Sequence, residues 1–160
     1  MSGEQIVREE QIDREALLRG LPLFDGLSDD RLAALASVAW VSTVPAGAAI
    51  IEEGDEVLDD EEGLFLLVAG TVEVRKGATD TSDGRLLRTL GPGEFFGEMA
   101  LIDAHPRSAS VFATTEVQYL AISRWDFHRR LRSDPDIALR IMATLAERLR
   151  SRDEDEDEGA

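Results

Sequence analysis

From Trp40 onward the hydrophobic pattern changes to a period of two, and up to Ile122 it is cut into short runs by glycine-bearing turns. This alternation constrains the fold more than any other feature, because successive side chains of a strand point to opposite faces. Residues 40–44, 48–53, 64–68, 72–75, 85–90, 108–113 and 117–122 read as strands. Pro45-Ala46-Gly47, Gly54-Asp55, Ala69-Gly70-Thr71 and Gly91-Pro92-Gly93 read as connections between them. Many short strands with glycine-rich turns imply a sandwich or jelly roll.

Helical spacing is confined to the two ends. Residues 4–19 read as a polar helix with a thin stripe of Ile6, Ile12, Ala16 and Leu17. Ser28 is placed to cap a helix over 29–38, and Leu32, Leu35, Ala36 and Ala39 give it an apolar face. Ser123, with Asp126 three residues on, has the form of a capping box for a helix over 124–132. Pro135 opens the last helix, where a missing N–H does no harm. Its apolar face is Ile137, Ala138, Ile141, Met142, Leu145 and Leu149, and it is expected to end near Arg150 or Arg152. The expected fold is mainly β with flanking helices: a double-stranded β-helix, or jelly roll, with N-terminal helices and two C-terminal helices.

A chain of 160 residues suits one domain with a proper core. Its expected parts are a polar segment 1–20, a domain 21–152 and an acidic tail 153–160. The chain has no cysteine, which excludes disulfides, thiolate zinc sites and cysteine-held iron–sulfur clusters. No apolar run approaches a membrane span, and the polar start lacks a signal-peptide core, so a cytoplasmic location is expected. Seventeen basic residues face 33 acidic ones, a net charge of −16. Asp153 to Glu158 are all acids and would meet the negative end of the preceding helix, so the tail is expected to fray into disorder. Such a surface repels nucleic acid and anionic lipid, and neither is expected as a partner.

The chemistry concentrates in residues 95–111. Gly97 can open a short helical turn whose free amides and positive dipole end face an anion, and without a Cβ it lets that anion come close. Glu98 is an acceptor suited to sugar hydroxyls. Arg107 offers a planar fork of donors suited to phosphate. Ser108 and Ala109 begin an extended run whose amides add to the nest. A carboxylate and a guanidinium nine residues apart suggest a sugar phosphate with one negative charge.

At Gly97, Glu98, Ala100, Pro106, Arg107, Ser108 and Ala109 the chain resembles the phosphate-binding cassette of the cyclic nucleotide-binding domain, as in the catabolite activator protein and the regulatory subunit of protein kinase A. The resemblance extends over roughly residues 21–150. It implies that Glu98 holds the ribose hydroxyl and Arg107 the cyclic phosphate, with Met99 within the same turn. It further implies that the C-terminal helices act as a lid, placing Arg148 where it can reach Glu98 or the ribose, with Val74 and Leu87 as an apolar wall beside the base. The implied ligand is cAMP, with cGMP open, acting as a regulator; no cofactor and no metal is expected.

The resemblance leads to a free-standing receptor, monomeric or weakly dimeric, that signals to a protein effector in trans. Two other classes compete. One is a ligand-free interaction scaffold on the same fold. The other is a metal-dependent enzyme, and with His105 and His128 as the only histidines it lacks a converging ligand set. A calcium site in the loop 55–62, with its acids 59–62, competes with a plain solvated loop, which lacks the spacing of a cation-binding loop.

Overall fold

The computed structural model describes residues 6–58 and 61–159, with side chains as far as Asp153. Its strands are β1 (Trp40–Val44), β2 (Ala49–Ile51), β3 (Glu62–Ala69), β4 (Val72–Lys76), β5 (Arg85–Leu90), β6 (Phe95–Phe96), β7 (Ser110–Ala113) and β8 (Val117–Ser123). The helices are α1 (Arg14–Arg19), α2 (Asp29–Ala36), α3 (Arg124–Ser133) and α4 (Pro135–Gly159). Two antiparallel four-stranded sheets, ordered β1-β8-β3-β6 and β2-β7-β4-β5, form a jelly roll with helices against one side.

The middle strands of the first sheet divide their side chains between two apolar layers. Leu64, Leu66, Leu120 and Ile122 face the helices and pack with Leu18, Phe24, Leu35, Phe127, Ile137 and Ile141. Phe65, Leu67, Tyr119 and Ala121 face the interior of the roll with Val72, Val74, Phe96 and Val111. Both faces of β3 are therefore dry, which is why 64–67 reads as a continuous apolar run. Phe65 stacks on Phe96 at 4.8 Å and meets the edge of Tyr119 at 5.1 Å.

Local chemistry sets the helix ends. Ser28 Oγ accepts the Arg31 N–H at 3.3 Å, and Ser123 Oγ accepts the Asp126 N–H at 3.0 Å while donating to the Asp126 carboxylate at 3.1 Å. Arg31 of α2 donates to Asp134 at 2.8 Å and to Asp136 at 2.9 Å, pinning the start of α4. The hydrogen bond and charge of Arg31 hold the Asp134 carboxyl below its ordinary range, and Arg31 is raised in return.

Several expectations change. The single helix over 4–19 is instead a 3-10 turn at Glu9–Gln11 followed by α1, with residues 4 and 5 outside the described part. Asp13 causes the break, because its carboxylate accepts the Ala16 N–H at 3.0 Å and so starts a new helix. The segment before it is held by Gln118, whose amide takes the Val7 N–H at 2.9 Å and donates to the Val7 carbonyl at 2.6 Å. The helix α4 runs on to Gly159, beyond the end expected at Arg150–Arg152. Extending an existing helix needs no new nucleus, and glutamate is a good helix former, so these terms outweigh the dipole. Met142 and Leu149, expected on its buried face, are exposed. The acidic loop keeps residues 59 and 60 outside the description, and no metal-holding cluster occurs among the described residues. None of the described helices is long and apolar enough to cross a membrane.

Candidate ligand pocket

The site begins at Gly97, which adopts a left-handed conformation, φ 78° and ψ 2°, and opens the 3-10 turn Glu98–Leu101. A Cβ there would lie 2.9 Å from the Gly63 carbonyl oxygen and 3.0 Å from Arg107 Nη1. Both backbone conformation and space therefore require glycine at this point. Gly63 in turn lets the Leu101 side chain press against β3, since a Cβ on Gly63 would be 2.7 Å from Leu101 Cδ2.

Arg107 is drawn inward. Its backbone N–H donates to the Asp55 carbonyl at 2.8 Å, and its carbonyl accepts the Gly54 N–H at 2.8 Å. Its Nη2 donates to the Glu62 carbonyl at 2.6 Å, and the guanidinium carbon lies 5.8 Å from the Phe65 ring centre. Burial weakens its hold on the proton, and Glu61, Glu62 and Asp55 partly restore it from a distance. Among the described residues Arg107 makes no ion pair, neither with Glu98 nor with any other carboxylate. A half-buried cation whose fork points inward, and which makes no ion pair among the described residues, is arranged to take an anion.

Glu98 faces a cleft of about 410 Å³, lined also by Arg88, Leu90, Gly93, Glu94, Phe95 and Arg148. Burial raises the Glu98 carboxyl, while Arg148, Arg88 and the amides of Glu98 and Met99 pull it down. Arg148 lines the same cleft and lies near enough to act on the Glu98 carboxyl. Ala100 is buried under the turn, and Met99 and Ser108 are exposed. Ala109 packs at the margin of the inner apolar layer.

The expected apolar wall is different. Val74 is buried within the inner layer, and Leu87 is exposed and does not line the cleft. On β5 it is Arg88 that lies opposite Val74 and shares its inward side, and Leu87 is an extra residue between the Val74–Arg88 and Arg75–Leu86 pairs. Arg88 therefore lines the cleft. Arg88 and Gly63 were not singled out by the sequence reading. A glycine inside a strand run is a signal of close backbone approach, which would have found Gly63.

A jelly roll flanked by helices here carries a turn opened by a left-handed glycine beside an inward guanidinium, an arrangement suited to an anion. More narrowly, the chain belongs to the cyclic nucleotide-binding domain family, whose pattern matches residues 41–134. It is 39% identical over 145 residues to a cyclic nucleotide-gated potassium channel of Rhizobium etli, covering 91% of this chain and 38% of the channel. It is 35% identical over 136 residues to the cyclic AMP receptor protein of Thermus thermophilus, covering 85% of this chain and 61% of the receptor. Among solved structures, the N-terminal domain of a Streptomyces coelicolor transcriptional regulator superposes with a TM-score of 0.76 at 30% identity, covering 90% of this chain and 95% of that one. The chain thus spans less than two thirds of the length of these two curated relatives.

Proposed function

We propose that residues 21–152 form a receptor domain for a cyclic nucleotide, cAMP first, that regulates a protein effector in trans from the cytoplasm and catalyses nothing itself. The observation that carries this reading is Arg107, half-buried, aimed inward and making no ion pair among the described residues. The phosphate takes its free donors and the amides of the turn opened by Gly97. Glu98 accepts the sugar hydroxyls, with Arg148 and Arg88 over the cleft. Binding favours the arrangement in which α3 and α4 close on the ligand. Relatives named as a cyclic AMP receptor and as cyclic nucleotide-gated channels support the ligand class.

A melting experiment tests it. At 100 times its dissociation constant, a ligand that binds only the folded state adds about 2.7 kcal/mol of stability. cAMP or cGMP at millimolar concentration should raise the melting temperature clearly. No rise with either nucleotide would favour the scaffold reading, in which the same fold only docks proteins.

The raised Glu98 carboxyl predicts a pH dependence. The folded state holds this proton more tightly than the unfolded chain, so its contribution to stability is present in acid and is lost as pH rises through the raised value. Ligand binding runs the other way, because the ionised form accepts hydroxyls. Affinity should fall as pH drops from 7 toward about 5, and Glu98→Gln should flatten that slope. Calorimetry over this range checks both, and an equal slope in the variant would assign the titration elsewhere.

A further inference from the structure

Within the turn Glu98–Leu101 the Ala100 N–H donates to Gly97, and the Ile102 and Asp103 N–H groups donate to Met99. No backbone donor in the turn takes the Leu101 carbonyl. Leu101 is fully buried, and its carbonyl would be a costly orphan in apolar surroundings. His128 of α3 meets it, with Nε2 at 2.7 Å. A carbonyl only accepts, so the ring donates here through Nε2–H. The hollow around this bond is lined by Ile102, Phe127, Leu131, Ile141, Met142 and Leu145, with no charged side chain among the described residues. In so apolar a place a hydrogen bond is strong and hard to replace with water.

We infer that His128 is the positioning residue that carries movement of the ligand turn to α3, and through the Asp134–Pro135 corner to α4 and Arg148. This rests on the receptor reading above. The turn is pressed against β3 at Gly63 on one side and tied to α3 by His128 on the other. When the amides of Glu98 and Met99 move toward a phosphate, the Leu101 carbonyl moves with them, because the four residues form one turn. The imidazole follows its acceptor, and α3 follows the imidazole. A purely apolar contact would let the turn slide; a directional bond does not.

The test compares His128→Phe, which keeps the ring volume and loses the donor, with His128→Gln, which keeps a donor at similar reach. Amide hydrogen exchange is followed in 97–109 and in 124–150, with and without saturating cAMP. In the wild type both segments should respond to the nucleotide. In His128→Phe the response of 97–109 should persist, and that of 124–150 should fall by about half or more. His128→Gln should restore it. Without ligand, His128→Phe should also speed exchange over 98–103 by about threefold to tenfold, and His128→Gln should not. A wild-type response of 124–150 in His128→Phe overturns the inference, as does failure of His128→Gln to differ from His128→Phe. If the wild type binds neither nucleotide, the receptor reading falls on its own, and the ligand-free comparison still decides whether His128 ties the turn to α3.

Discussion

Arg107→Ala is expected to lower cAMP affinity by roughly 1.5 to 3.5 decades, the equivalent of about 2–5 kcal/mol for removing one partner of a buried charged contact. Its effect on the ligand-free fold should be much smaller. The substitution removes a donor from the Glu62 carbonyl, but it also relieves the cost of holding a guanidinium half-buried. Loss of affinity without a matching loss of stability marks a binding residue. Arg107→Lys should bind poorly as well, because one ammonium cannot serve the Glu62 carbonyl and a phosphate with a fixed fork. Isothermal calorimetry and thermal melting, run on the same samples, separate the two quantities. Unchanged affinity in Arg107→Ala would remove the residue from the site.

Gly97→Ala is expected to damage both quantities at once. Holding a residue with a Cβ at φ 78° costs about 1–2 kcal/mol. The added methyl would also meet the Gly63 carbonyl at 2.9 Å and Arg107 Nη1 at 3.0 Å. The first of these neighbours is strand backbone, so the turn must yield. For a chain of this size a loss of about 1–2 kcal/mol lowers the melting temperature by roughly 2–8 °C. Shifting the turn also moves its amides and the guanidinium apart, and affinity should fall by about two decades or more. Gly97→Ala melting and binding like the wild type would show that the turn is not the phosphate cradle.

The roll was legible because glycine-bearing turns separate its apolar runs. The runs at 40–44 and 85–90 match β1 and β5 residue for residue. The strand β6 has two residues and no period to detect, so it went unseen although Phe96 anchors the inner layer. The first helix was overdrawn because an apolar stripe says nothing about the competing cap at Asp13. The cassette was legible as a string of residue types, since Gly97, Glu98 and Arg107 each carry their chemistry openly. The cleft wall was not. Arg88 faces inward because it lies opposite Val74, and that register is a property of the strand pair rather than of either strand.

The division of side chains along β3 and β8 has a consequence for how the domain can diversify. The helices α3 and α4 rest on the outer apolar layer, whereas Phe65, Phe96 and Tyr119 belong to the inner one. Substitutions on the helical side of the roll can therefore be absorbed without touching the aromatic cluster of the inner layer.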